Sequence, residues 1–396
     1  MPTSKNGMGL YFSILGCVAI LAACSATEPN RQSCAVGDPN GPRKVAYADS
    51  LWTLPFEANL KSPLDTGLAS ALERTLDTLA TKLPGVSAVV SIPGEGTWTG
   101  WRGVARTSPR LPLPLPPRFQ IGSLTKMYTA VAILQLVEEG RISLESPVSH
   151  WYPNVSDAEK MTVDQLLRHT SGIPSFNAID TNSRAYIAPD AAVDLAVKAN
   201  RLFCPGTNWS YSNTGYVMLG RILEMEEGVS LDSIFAKRIF VPLGLQQTKL
   251  RTRGDGVQGL VSGHFRGVPD SGDYATPFAA GGIVSTAFEV TQFWSAVLAG
   301  KLLAQGTARS MFAELYPMVN VAEASYGRGA MVYDGAQGPG LMLGHSGGVA
   351  GFTSVVVYSV QDRAYVCVLF NDRQYAAEAG LWSLIRALRA FRAART

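Results

Sequence analysis

Three short patterns in this sequence bring together residue types that can do chemistry. The tetrad Ser123-Leu124-Thr125-Lys126 opens a stretch that is apolar almost all round, and it is the sole S-x-x-K of the chain. On a helix, residues three apart lie on one face, so the lysine amine reaches the serine hydroxyl. Burial penalises an ammonium, as does the positive end of a helix dipole, so such a lysine can act as a base near neutral pH. Further on, Tyr211-Ser212-Asn213 precedes another strongly apolar stretch. A phenol beside an amine can have its pKa lowered enough to relay a proton, and a carboxamide can hold both the lysine and a substrate. The third pattern, His345-Ser346-Gly347 followed by Gly348, ends the apolar run Leu341-Met342-Leu343. On a strand, His345 shares a face with Leu341 and Leu343, and the glycines let a substrate approach the backbone.

Each pattern has a rival reading. Tyr152-Pro153-Asn154 also fits Y-x-N, but it stands in a Pro-bearing turn after Trp151 and is read as exposed. Taken alone, His345 is more often structural than catalytic, and His169, near a helix end, is read as structural. Gly344-His345-Ser346-Gly347-Gly348 fits the G-x-S-x-G nucleophile elbow, which would make Ser346 the nucleophile. That elbow needs a helix directly after the serine and a histidine later in the chain. Residues 349–360 look like a strand and no histidine follows His345, so the elbow fails on both counts.

Positioning these groups falls to elements spread along the chain. After Ser62-Pro63, a cap and first-turn proline, leucines 64, 68, 72, 76, 79 and 83 recur at helical spacing up to Pro84-Gly85. Strand-like runs follow at 86–92 and 98–104, and the proline-rich 110–118 predicts an extended polyproline connector. A buried helix is expected over 123–139, stopped by Gly140, and a mostly helical middle runs to about Gly300. Val-rich runs at 352–360 and 364–370, joined by Gln361-Asp362-Arg363, predict a hairpin. The chain closes with an amphipathic helix whose apolar positions are Leu381, Leu384, Ile385, Leu388 and Phe391. Strands at both ends with helices between them predict an α/β fold: one sheet drawn from 61–118 and 325–396, with a helical subdomain over about 123–310.

Composition narrows the function. At 396 residues, 46% hydrophobic and 16% charged, the chain is globular and has room for about two domains. Lys and Arg number 34 against 31 for Asp and Glu. That small, unclustered excess argues against a nucleic-acid partner. Five cysteines form no C-x-x-C pair and only four histidines exist, so neither a metal site nor a cofactor is expected.

At the N-terminus, Lys5 precedes an apolar stretch over 9–24 that is shorter than the ~20 residues of a membrane span. It ends Leu21-Ala22-Ala23-Cys24, which resembles the lipobox of bacterial lipoproteins. The resemblance implies cleavage of a signal peptide, residues 1–23, and a diacylglycerol on the Cys24 thiol. The protein would then sit in the bacterial cell envelope, lipid-anchored on the outer face of the cytoplasmic membrane or in the outer membrane and periplasm. Two or more acyl chains suffice for stable anchoring. Residues 24–60, with Pro29, Gly37, Pro39, Gly41 and Pro42, read as a polar tether. Cys34, Cys204 and Cys367 would remain in an oxidising compartment. Cys367 falls in an apolar run and is read as core, and a Cys34 to Cys204 bridge has no spacing rule behind it.

Together the three patterns resemble those of the penicillin-recognising serine hydrolases related to class C β-lactamases, DD-carboxypeptidases and β-lactamase-like esterases. In that family the motifs are S-x-x-K, Y-x-N and either K-T-G or H-x-G. Arg118-Phe119-Gln120-Ile121-Gly122, Leu166-Leu167-Arg168-His169-Thr170-Ser171-Gly172 and Ala280-Gly281-Gly282-Ile283-Val284-Ser285 also look like the family. The resemblance runs from about Leu64 to the end. It implies a β-lactamase/transpeptidase-like fold, a helix-flanked antiparallel sheet plus an inserted helical domain, over 61–396. It further implies acyl transfer with Ser123 as nucleophile, Lys126 and Tyr211 sharing the base and acid roles, and Asn213 orienting lysine and substrate. The oxyanion would lie between the N–H groups of Ser123 and Gly348. His345 in place of lysine is the main departure from the β-lactamase form. An imidazole of pKa near 6.5 holds only part of a charge against a substrate carboxylate at neutral pH. Gly348 also lacks the hydroxyl that many relatives use there. These features leave a DD-carboxypeptidase acting on peptidoglycan peptides, a peptidase for D-amino acids, an esterase acting on small molecules, or an envelope binding protein without turnover. Loops at 176–190 and 274–278 would set specificity.

Overall fold

The structure is a computed structural model that describes residues 49–180, 186–270, 277–318, 323–335 and 340–395. The expected signal peptide, Cys24, Cys34 and most of the tether lie outside the described residues. Among the described residues no helix is long and apolar enough to cross a membrane.

A nine-stranded antiparallel sheet forms the centre. Its first three strands are β1 (Gly85–Ile92), β2 (Gly96–Thr107) and β3 (Arg110–Pro112). The last six are β4 (Tyr316–Pro317), β5 (Ala324–Tyr326), β6 (Met331–Gly335), β7 (Gly340–Val349), β8 (Phe352–Ser359) and β9 (Ala364–Phe370). The spatial order is β3-β2-β1-β9-β8-β7-β6-β5-β4, so the two ends of the chain meet at the β1–β9 seam. There Val86 pairs with Phe370 and Ser91 with Tyr365. Both seam strands are buried throughout, which is why they read as unbroken apolar runs rather than alternating ones.

Strand periodicity divides the core in two. Val366, Val368 and Phe370 face helices α1 (Thr66–Ala80) and α6 (Ala377–Ala393), packing with Leu72, Leu76, Leu384 and Leu388. Tyr365, Cys367 and Leu369 face the helical body, whose central elements are α2 (Thr125–Glu138), α3 (Val163–Arg168), α4 (Asn213–Glu227) and α5 (Ala287–Leu298). The layers are therefore two helices, the sheet and the helical body, as expected for the β-lactamase/transpeptidase-like arrangement. Cys367 is fully buried and free, while Cys204 is disulfide-bonded.

Three local expectations need correction. Helix α1 begins at Thr66, not at Pro63, because Asp65 is the cap, accepting from Gly67 N at 2.8 Å and Leu68 N at 3.1 Å. The Ser62 carbonyl instead accepts from Thr97 N at 2.8 Å, which ties this segment to β2. The proline-rich connector is extended but not free, since Arg110–Pro112 pairs with β2 as an edge strand, where missing N–H groups are tolerated. The helical middle also holds a small three-stranded sheet of Phe119–Gln120, Ile283–Ser285 and Lys249–Leu250, pieces too short to show a period in sequence.

Candidate active site

Ser123 lies in the single turn Gly122–Leu124 that leads into α2. Gly122 has a φ of 52°, and a Cβ on it would come within 3.0 Å of the Gly348 backbone. Glycine is thus required both for the left-handed turn and for contact with β7. A Cβ on Gly347 would stand 2.9 Å from Ser123 N and 2.5 Å from Ile121 O. The Ser354 hydroxyl clamps the same turn by donating to Ile121 O at 2.7 Å. The serine turn and β7 are therefore in backbone contact, while Gly348 is exposed and has open space where a side chain would be.

In the first turn of α2, Lys126 is fully buried. Its Nζ lies 3.2 Å from Ser123 Oγ, 2.7 Å from Asn213 Oδ1 and 2.6 Å from Ala280 O. Burial pushes its pKa well below the ordinary lysine value, and its place in the first turn of α2 acts in the same direction. A neutral amine has two N–H donors and one lone pair. Asn213 Oδ1 and Ala280 O can only accept, so they take both donors, and the lone pair is left for the Ser123 hydroxyl proton.

Asn213 is the first residue of α4, a helix capped by Ser212 accepting from Gly215 N at 3.3 Å. Its Nδ2 donates to Asn177 Oδ1 at 2.9 Å and its backbone N to Ser175 Oγ at 2.9 Å, so the carboxamide is held from two sides. The Tyr211 ring centroid lies 4.8 Å from Lys126 Nζ. Behind it stands His169, ring centroids 4.2 Å apart. His169 ends α3 with a φ of 64°, and its Nδ1 accepts from Ser212 N at 3.2 Å. Its structural reading thus acquires a specific task, backing the tyrosine and fixing the turn before α4.

His345 departs from expectation. It is fully buried on the face of β7 that meets the helical body, with Nε2 3.1 Å from the Tyr326 hydroxyl and Nδ1 2.5 Å from Ser346 O. Nδ1 must donate to that carbonyl, and in the neutral ring that burial favours Nε2 accepts from the phenol. Burial lowers its pKa to about 3, and Lys126 adds to the shift. The partial charge expected from a free imidazole is not held there, because burial strips the ring of its hydration and no carboxylate acts on it. Ser346 points to the opposite face, with Oγ 3.7 Å from Met331 Sδ, and a strand follows it, so the elbow geometry is excluded. Tyr152 is not exposed as expected: it is half-buried against the core with its hydroxyl shut off from solvent, and the charged groups acting on it are Arg221, Asp190 and Glu224, not Lys126.

The structure brings Ser123, Lys126, Tyr211 and Asn213 together and sets Gly348 beside them. Sequence reasoning missed the Ala280 carbonyl as a lysine partner, although Ala280-Gly281-Gly282 had been noted, and it missed Tyr326 altogether. Neither carries a spacing signal, since both meet the site only through tertiary packing.

A serine beside a buried amine at the border between a two-ended antiparallel sheet and a helical body is the arrangement that the resemblance to the penicillin-recognising class implied. The Beta-lactamase family matches residues 69–390, and the chain belongs to that family. It is 26% identical to penicillin-binding protein 4* of Bacillus subtilis over 69% of this chain and 64% of that protein. It is likewise 26% identical to a D-aminopeptidase of Cereibacter sphaeroides over 80% of this chain and 62% of that one. The chain thus spans less than two thirds of the length of these curated relatives. Among solved structures, D-amino acid amidase from Ochrobactrum anthropi SV3 superposes with a TM-score of 0.75 at 27% identity, covering 84% of this chain and all of that one.

Proposed function

We propose that this protein is an envelope-tethered serine hydrolase that cleaves short D-configured peptides, amides or esters through an acyl-enzyme on Ser123. The observation that carries the reading is the buried Lys126 Nζ, which lies 3.2 Å from Ser123 Oγ and is held by Asn213 Oδ1 and Ala280 O. In the first step the Ser123 proton passes to Lys126 Nζ while Oγ attacks the substrate carbonyl carbon. The carbonyl oxygen, now negative, is held by the N–H groups of Ser123 and Gly348. The tetrahedral species collapses as the leaving nitrogen or oxygen takes a proton from Lys126, directly or through Tyr211. Water then repeats the sequence on the ester, giving the free acid and restoring Ser123. Asn213 keeps the amine in place and faces the substrate amide.

Support for D-configured substrates comes from two similar proteins, a D-aminopeptidase and a D-amino acid amidase. A neutral His345 also favours amide or ester substrates over β-lactams, which carry a carboxylate that a cation would hold. The test is a panel of one D-amino acid amide, one acyl-D-Ala-D-Ala peptide, one cephalosporin and one short ester, with intact-mass detection of a phosphonate adduct. Wild-type protein should turn over the amide or ester and form one adduct. Ser123→Ala should lose both, with a rate loss of about a thousandfold or more. Turnover that survives in Ser123→Ala, or wild-type protein that gives neither adduct nor product, overturns the reading.

A further inference from the structure

Glu378 is a carboxyl beside the third motif that the mechanism above does not use. It stands in the first turn of α6, the helix that packs over β8 and β9. Its Oε1 is shut off from solvent and has no hydrogen-bond partner. The groups acting on the carboxyl are its own backbone N–H and the Ser346 hydroxyl, while burial raises its pKa. None of them is a cation. The Ser346 hydroxyl also meets the Tyr333 phenol, which in turn feels Glu378, so the three side chains form one cluster.

Position relative to the reacting atoms follows from strand geometry. Ser346 and Gly348 lie on one face of β7, two residues or about 7 Å apart. Gly348 has open space where a side chain would be, on the face it shares with Ser346, so a substrate group that runs from there back along β7 passes Ser346 toward Glu378. No positive charge offsets that carboxyl at this end of the site among the described residues. His345 is on the other face, neutral and bonded through both nitrogens. The amine that His345 senses, Lys126, has its own pKa pushed well below the ordinary lysine value by burial.

We propose that Glu378 is a specificity-determining residue, selecting against substrates that carry a carboxylate beside the scissile bond and in favour of carboxamides, esters and ammonium-bearing substrates. This rests on the hydrolase reading above and names its substrate class more narrowly. An anionic substrate would either set two like charges against each other in a partly desolvated site or require an extra proton to be taken up, and both are unfavourable. A neutral group escapes this cost, and an ammonium adds the cation that the carboxyl lacks.

The experiment compares acetyl-D-Ala-D-Ala with acetyl-D-Ala-D-alaninamide, which differ only in carboxylate against carboxamide. Each is measured on the full protein both as a substrate and as a competitor of p-nitrophenyl ester turnover. Wild-type protein should favour the carboxamide by about tenfold or more, the scale of one uncompensated like-charge contact. Glu378→Gln should bring the ratio toward one, mainly through tighter binding of the carboxylate form. Because the ratio is taken within each variant, any loss of folded protein cancels. Equal or better use of the carboxylate by wild-type protein, or a ratio that Glu378→Gln leaves unchanged, overturns this inference while ester turnover keeps the hydrolase reading intact. Absence of any turnover that depends on Ser123 overturns the hydrolase reading itself, and the inference with it.

Discussion

At the scale of single residues, the protonation states are the main finding. Lys126 and His345 are both basic side chains whose pKa is pushed down, and the main cause in each case is the removal of water. For His345 the effect on stability has a definite sign. Its folded-state pKa is about 3, against about 6.5 in an unfolded chain. Between those values the unfolded chain takes up a proton that the fold refuses. The contribution is complete above about pH 6.5 and is lost as pH falls toward 3, by about 1.4 kcal/mol per pH unit for one histidine. His169, also pushed well below its ordinary value by burial, adds to the loss with the same sign. Urea unfolding between pH 4 and 7 should show this slope, and His345→Asn should reduce it by about one proton. An unchanged slope would mean that the imidazole is charged within the fold. The residue types were legible in sequence, but this charge state was not, because nothing in the order His345-Ser346-Gly347 reveals that Tyr326 covers the ring.

At the scale of elements, the contact between β7 and the serine turn carries the site. Gly347 is the point where a side chain cannot fit: a Cβ there would meet Ser354 Oγ at 2.4 Å and Ile121 O at 2.5 Å. Gly347→Ala should push β7 from the turn and lower ester kcat/KM by about a hundredfold, the scale of a misplacement near 1 Å. Gly306→Ala is the control. Gly306 is exposed in the helix Gln305–Ser310 with open space around it, so the same added methyl should leave kcat/KM unchanged. Equal kinetics for both variants would show that β7 does not position the serine turn. Long periodic elements such as α2 and the β8–β9 hairpin were readable from sequence. Short ones were not: the start of α1 turned on one capping aspartate, and the strand Ile283–Ser285 is held by pairing rather than by a pattern of its own.

At the scale of the whole molecule, the β1–β9 seam makes both ends of the chain parts of one sheet, so the helical body is an insertion rather than a separate block. The Beta-lactamase family match begins at residue 69, well after Cys24. A disulfide at Cys204 agrees with an oxidising compartment. The anchoring proposal predicts that the full chain fractionates with membranes and takes up labelled fatty acid, and that Cys24→Ala moves it to the soluble fraction without label. Soluble wild-type protein, or a labelled Cys24→Ala variant, would sink that proposal.

By itself, the sequence determined which groups were available to react and their spacing on each element, because helix and strand periods are local properties of neighbouring residues. It also indicated that strands at both ends would share one sheet. Only the tertiary structure decided what those groups are chemically. Lys126 Nζ donates to a carbonyl 154 positions away, His345 is capped by a phenol from β5, and Glu378 meets the third motif from the last helix. Desolvation depends on who the distant neighbours are, and distance along the chain does not record that.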